Sequence, residues 1–194
     1  QPKGIADGIL VAKDFISDQN CCLILGDNIF FGYQFTDMLR DAKENLDGAT
    51  IFSTFVNNPS DFGVVELDKD GHIISIDEKP SNPRSNLAIT GLYFYNNSVV
   101  DIVESIKPSE RGELEITDVN KIYFEQNLLK VLQLGRGFAW LDTGTNDSMQ
   151  AAGDFVSTIQ KRQGLQIACL EEIAFKNGWI DKEILSNQIK KYIN

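Results

Sequence analysis

The sequence predicts an α/β fold: a mostly parallel sheet flanked by helices, with an antiparallel hairpin insertion and a helical C-terminal tail. Three observations carry that expectation. Short apolar runs at 22–25, 50–56, 88–95, 129–134 and 139–142 alternate with segments whose apolar residues recur at helical spacing, the pattern of strands joined by helical connections. Asp70-Gly71 lies between two strand-like runs, GVVELD and IISIDEKP, and Asp-Gly there is a hairpin signal. Beyond Thr145 only helical patterning remains.

Each element has its own justification. Ile5, Ile9, Leu10, Ala12, Phe15 and Ile16 form a helical stripe over 5–16, and the run CCLILGDN follows as a strand that stops at Asp27. Over 35–46, Met38, Leu39 and Ala42 share a helical face, and Asp47-Gly48 ends it. Residues 50–56 are β-branched and aromatic, which suits a strand. AITGLYFY at 88–95 reads as a long buried strand. Ser98 is placed to cap a helix reaching 106, and a second helix covers 116–126. After the strands at 129–134 and 139–142, Thr145 caps a long amphipathic helix through Met149, Ala152, Phe155, Val156 and Ile159. Helices at 169–177 and 181–192 complete the tail. The expected organisation is one domain over 1–162 with a helical tail at 163–194 packed on it.

Composition narrows the function classes. The chain has 194 residues, 42% of them hydrophobic and 24% charged, enough for one domain with a real core. A formal charge of −10 argues against nucleic acid as a partner. No apolar run approaches the roughly 20 residues of a membrane span, and the N-terminus has no basic region followed by an apolar stretch, so no secretory signal is expected. There is no initiator Met. Three cysteines, an odd count without CxxC, fit a reduced cytoplasmic protein.

The residues able to do chemistry are few. Asp27 and Asp142 each close a short apolar run beside a glycine or asparagine. In open α/β sheets ligands bind outside the carboxyl ends of strands, and Mg²⁺ is held by one or two carboxylates plus phosphate oxygens and water. A phosphate-handling Mg²⁺ site at Asp27 and Asp142 is therefore the expectation. The lone His72, beside a turn glycine, is expected to be exposed, which removes Ser-His-Asp and multi-His metal chemistry. Cys22 reads as inert core. Neither GxxxxGK[ST] nor GxGxxG occurs. Lys79, in Glu78-Lys79-Pro80 at a strand end, and Arg111, in a charged loop before a helix, are the cations placed to meet phosphate. Gly63 and Gly91 interrupt strand patterns, where either a ligand's approach or packing asks for glycine.

Taken in order, LGDNIFFG (25–32), FGVVE (62–66), EKP (78–80), NLAITGLYFY (86–95), KPSERGELEITDVN (107–120), LGRGFAWLDTGT (134–145) and KRQGLQIACLEEIAFKNGW (161–179) resemble the glucose-1-phosphate thymidylyltransferases, a branch of the sugar nucleotidyltransferases. EKP and LDTGT are shared across many sugar nucleotidyltransferases; SERGELEIT and the IACLEEIA tail are specific to this branch. The resemblance implies a nucleotidyltransferase sheet and transfer of a nucleotidyl group from dTTP to glucose 1-phosphate, giving dTDP-glucose and pyrophosphate for dTDP-sugar synthesis such as dTDP-rhamnose. It implies Mg²⁺ on Asp27 and Asp142, sugar-phosphate contacts from Lys79 and Arg111, and sugar-pocket roles for Gly63, Glu78 and Tyr93 with Trp140 packing nearby. Gln1 and Gly4 match the end of a base-contacting segment.

The family's GGxGTRLxPxT loop and its downstream Lys do not occur, so the chain reads as the C-terminal two-thirds of the domain, a fragment or a truncated product. The resemblance further implies a regulatory sugar-nucleotide site at Gly32, Phe35, Gly135, Arg136, Ala168, Cys169, Glu172 and Ile173, with Lys176 where an Arg is common, and a homo-oligomer, a tetramer in the full-length family. Two other readings stay open: a uridylyl- or adenylyl-transferase on the same sugar phosphate, and a non-catalytic sugar-nucleotide-binding fragment or regulatory subunit.

Overall fold

The computed structural model describes residues 3–190. Gln1, and the end of the helix expected at 181–192, lie outside them. Two compact units divide the chain, Gln1–Asp142 and Thr143–Asn194.

In the first unit the chain opens with α1 (Asp7–Val11) and α2 (Lys13–Ile16), a helical stripe broken at Ala12, and continues into β1 (Cys21–Ile24). A short turn leads into β2 (Asn28–Phe31), a strand with no counterpart in the sequence reading. Next come α3 (Phe35–Glu44), β3 (Ala49–Phe55), a 3₁₀ turn at Pro59–Asp61, and the expected hairpin of β4 (Gly63–Leu67) and β5 (Ile73–Glu78). β6 (Leu87–Tyr95), α4 (Val99–Ser105), α5 (Ile116–Glu125), β7 (Leu129–Gln133) and β8 (Ala139–Asp142) finish the unit. Ser98 does sit at the start of α4, but its side chain makes no capping hydrogen bond.

β6 organises the sheet. All nine of its residues are buried, because both faces are covered: Tyr93 and Tyr95 enter one apolar cluster with Ile51, Val65, Val99 and Tyr123, while Leu92 and Phe94 enter another with Ala42, Phe52 and Leu134. That split follows the two-residue period of a strand. One edge of β6 carries β3 along its length. The other edge is shared by two short strands, β1 against Leu92–Tyr95 and β4 at Ala88. The strand order is β5-β4-β6-β3-β7, with β1 also on β6.

The expected mostly parallel sheet is corrected here: the sheet is mixed and mostly antiparallel. β1, β3 and β4 all run against β6, β4 runs against β5, and only β3 with β7 is parallel. Strand–helix alternation does give β1, β3 and β7 a common direction, as expected of such units. It does not show that β6 inserts between β1 and β3 in the opposite sense. A continuous apolar run such as AITGLYFY reports that both faces are covered, not which way the strand runs. Cys22 is a second correction. Alternation along β1 turns Cys21 and Leu23 inward and leaves Cys22 exposed.

β2 and β8 form a separate antiparallel two-stranded ribbon. The second unit holds α6 (Asn146–Gln163), α7 (Leu170–Lys176) and α8 (Lys182–Ile189). Thr145 caps α6 as expected: its side chain accepts from the Ser148 N–H, and Ser148 returns a bond to the Thr145 backbone, a capping box. Among the described residues no helix is long and apolar enough to cross a membrane.

Candidate functional site

A cavity of about 280 Å³ opens in the first unit where the edge of β6 passes from β1 to β4. Ile89, Gly91 and Tyr93 form its floor, and Asp27, Asn28, Gly63, Glu78, Lys79, Arg111, Trp140 and Asp142 stand around it. Residues far apart in the chain, from Asp27 to Asp142, are thus gathered because one long strand supplies an edge that two short ones only partly fill.

The two aspartates meet through the ribbon. β1 ends at Ile24, so Asp27 follows a turn rather than closing the strand, and it stands immediately before β2. In the ribbon register Asn28 faces Asp142, so Asp142 and Asp27, the residue before Asn28, line one cavity although they are far apart in the chain. Asn28 binds three groups at once. Its Nδ2 donates to Asp27 Oδ1 at 2.8 Å, and its Oδ1 accepts from Trp140 Nε1 at 2.6 Å and from the Gly91 N–H at 3.0 Å. Gly91 owes its identity to this contact. A Cβ there would lie 2.6 Å from Asn28 Oδ1, so packing of an asparagine, rather than a ligand, is what excludes a side chain. The Trp140 ring also meets Phe62 edge-on, 5.1 Å between centroids.

Across the cavity, Glu78 ends β5 and Lys79 follows in the left-handed region, φ +41°. Side-chain-bearing residues seldom adopt that conformation, and where they do the surroundings hold them there. The Lys79 N–H bond to Phe62 O, 3.1 Å, is one such restraint. Gly63 faces Glu78 across the hairpin, and a Cβ on it would press against Thr117 Oγ1 and Glu78 Oε2.

Arg111 reaches in from the loop before α5. It donates to both carboxylate oxygens of Glu115 at 2.9 and 3.0 Å and to Glu78 at 3.4 Å, with Glu113 at 3.8 Å. The Glu115 hydrogen bond raises its already high pKa further, so it is a permanent cation. Thr117 Oγ1 donates to the other oxygen of Glu78. Tyr93 is buried, and burial together with the nearby Glu78 carboxylate pushes its phenol well up, keeping it a neutral donor. Sequence reasoning missed Asn28, Glu115 and Thr117. The first stands in LGDN and the others in GELEIT, inside motifs already singled out.

Other expected positions fall elsewhere. Gly4 does not line the cavity. At φ +104° it packs on the Leu114 backbone, which a Cβ would overlap at 2.4 Å. Of the regulatory positions, Gly32 lies against the Phe138 ring, Phe35 stacks on Phe30 at 5.4 Å, and Gly135 and Arg136 follow β7, all in the first unit. Ala168, Cys169, Glu172 and Ile173 belong to the second unit, where Ala168, Cys169 and Glu172 line a cavity of about 610 Å³ and Glu172 pairs with Lys176 at 2.5 Å.

Asp68, Asp70 and His72 also cluster, their ligand atoms within 4.8 Å of one another. His72 is exposed, as expected. Asp68 Oδ1 accepts from the Asp70 and His72 N–H groups, 2.8 Å each. These bonds hold its carboxyl below the usual range, and the arrangement closes the hairpin turn.

Comparison with known proteins gives the family. The family model for nucleotidyl transferase matches residues 1–158. The chain is 52% identical over 184 residues to a glucose-1-phosphate thymidylyltransferase of Neisseria meningitidis, covering 95% of this chain and 64% of that protein. It is 50% identical over 200 residues to one of Xanthomonas campestris, covering 99% and 68%. The crystal structure of a putative glucose-1-phosphate thymidylyltransferase from Bacillus anthracis, in complex with sucrose, superposes with a TM-score of 0.70 at 35% identity over 80% of this chain and 61% of that one. The chain spans about two thirds of the length of these curated relatives.

Proposed function

Since the chain belongs to the nucleotidyl transferase family, we propose that it serves a Mg²⁺-dependent thymidylyl transfer from dTTP to α-D-glucose 1-phosphate, with dTDP-glucose and pyrophosphate as products. The observation that carries this reading is that Asp27 and Asp142, the latter facing Asn28 across the ribbon, line one cavity with Lys79 and Arg111. The names of relatives about 50% identical support the choice of nucleotide and sugar.

The donor set fits the cofactor. Two carboxylates, with room for phosphate oxygens and water, are what Mg²⁺ takes, whereas no imidazole or thiolate lines the cavity to favour a softer metal. Asp27 and Asp142 would hold the Mg²⁺, which would supply neutralisation of phosphate charge. Lys79 and Arg111 hold the sugar phosphate, Arg111 leaving part of its Glu78 and Glu113 contact while Glu115 keeps it in place. Glu78, Tyr93 and the Gly63 backbone face the sugar, and Trp140 walls it. The attacking phosphate oxygen is already ionised at neutral pH, so no general base is needed, and the work is positioning and charge compensation.

The same reading extends to a cytoplasmic homo-oligomer within dTDP-sugar synthesis, the three free cysteines fitting a reducing compartment. It extends also to a second sugar-nucleotide site for feedback that includes Cys169 and Glu172. The test is pyrophosphate release by the full-length protein, one that carries the triphosphate loop, with Mg²⁺ and glucose 1-phosphate and with dTTP, UTP or ATP offered in turn. Release with dTTP well above the others is expected. Equal use of UTP or ATP overturns the nucleotide assignment, and no release with any of them overturns the catalytic one.

A further inference from the structure

We infer that Asn28 is a positioning residue, the tie that fixes both the Asp27 carboxylate and the Trp140 indole against the main sheet. The inference builds on the proposed function for what Asp27 does; its structural part stands alone. A two-stranded ribbon is marginal by itself, and β2–β8 is joined to no other strand. Something must set its height over the cavity.

Apolar packing of Phe30 against the sheet cluster holds one side, and on the cavity side the sheet offers a polar attachment point. Between Ile51/Tyr93 and Ser53/Ile89 the β3–β6 register shifts, a bulge that advances β6 by four residues against two on β3. Gly91 lies within this bulge, and both its backbone groups turn toward the β1 side: its carbonyl accepts from Leu25 N–H at 2.9 Å and its N–H donates to Asn28 Oδ1 at 3.0 Å. The same oxygen takes the Trp140 indole N–H at 2.6 Å, and the amide nitrogen donates to Asp27 Oδ1 at 2.8 Å.

An asparagine side chain is suited to this task. It has an acceptor with two lone pairs and a separate donor in one plane. Aspartate keeps the acceptor and loses the donor, and serine is too short to span the three partners. The glycine at position 91 is the matching half of the device, since any Cβ would push Asn28 away. Partners that orient a metal-binding carboxylate typically change metal affinity or activity by about ten- to a hundredfold when removed.

The test uses Asn28→Ala and Asn28→Asp in the ligand-free protein, with two readouts. The first is the ¹⁵N-indole resonance of Trp140, assigned against exposed Trp179 with Trp140→Phe. In the wild type it is expected downfield and slow to exchange with solvent. Asn28→Ala moves it upfield with fast exchange, and Asn28→Asp, which retains the acceptor, keeps it downfield. The second readout is Mn²⁺ binding followed by electron paramagnetic resonance, which Asn28→Ala weakens about ten- to a hundredfold. An indole signal unchanged in Asn28→Ala overturns the tie to Trp140. Unchanged Mn²⁺ affinity overturns the tie to Asp27, leaving Asn28 at most a substrate contact. If Asn28→Ala does not fold, loss of the downfield signal in Asn28→Asp overturns the inference. Wild-type protein that binds no Mn²⁺ sinks the metal assignment of the proposed function, and the indole result then decides the inference alone.

Discussion

The six-stranded sheet and the two-stranded ribbon divide the labour of the first unit. β6 is buried along all nine residues and β3 along its first five, whereas every residue of β2 and β8 is only half-buried. Most residues of β6 and β3 pack on protein and specify where the backbone runs, while Ile89, Gly91 and Tyr93 supply the cavity floor. The ribbon residues keep one side on protein and the other on the cavity. Phe30 stacks on Phe35, which in turn meets Phe52 and Phe138, while Asn28 and Trp140 hold the cavity side. The difference teaches that cavity-lining groups such as Asn28, Trp140 and Asp142 sit on a small half-buried element beside a rigid, buried one. Carboxylates built into β6 itself would be desolvated and costly to ionise.

That division makes separable predictions. The largest effect belongs to the ribbon: Asp142→Asn and Asp27→Asn each lower turnover by about a thousandfold, the scale of losing charge stabilisation in the transition state, with an unchanged melting temperature. Steady-state rates over a Mg²⁺ titration, beside thermal melts, check this. A full rate at saturating metal would remove that aspartate from the site.

The sheet should behave in the opposite way. Ile51→Ala deletes a fully buried side chain and costs about 2–5 kcal/mol of stability, while turnover per folded molecule stays as it was. Denaturant melts and active-site titration separate the two quantities. A turnover loss without a stability loss would mean that the sheet interior, away from the cavity, takes part in the chemistry and the division is false.

Lys79→Ala and Arg111→Ala sharpen the comparison within the cavity wall. Each forfeits a charge-assisted phosphate contact of about 1.5–3 kcal/mol, seen mainly in the glucose 1-phosphate dependence and less in dTTP affinity. Equal damage to both substrates would assign these residues a structural part, and Arg111, with three carboxylate neighbours, is the sterner case.

Trp140→Phe is the mildest change. It keeps an aromatic edge for Phe62 and loses the N–H donated to Asn28, about 0.5–1.5 kcal/mol for one neutral hydrogen bond. A small fall in both melting temperature and sugar-phosphate affinity is expected, because this residue lies on the seam between ribbon and sheet. Calorimetric melts and substrate titrations read it; a loss confined to one of the two would place Trp140 wholly on one side.

By itself the sequence determined the local elements and the chemical cast. Periodicity located β1, β3, β6, β7 and β8 within a residue or two, Asp-Gly placed the hairpin, and Thr145 announced the cap of α6, because these features depend on neighbours in the chain. Asp27, Lys79, Arg111 and Asp142 were legible as candidates to handle phosphate, and the structure brings all four to one cavity. Only the tertiary structure decided that β6 runs against its neighbours, that residues 28–31 form a strand at all, and that Asn28, Glu115 and Thr117 bond to Asp27, Arg111 and Glu78. Strand direction and side-chain partnership are set by contacts between residues tens of positions apart, such as Asn28 with Trp140 at a separation of 112. A local pattern records how buried a segment is, but not which distant segment buries it.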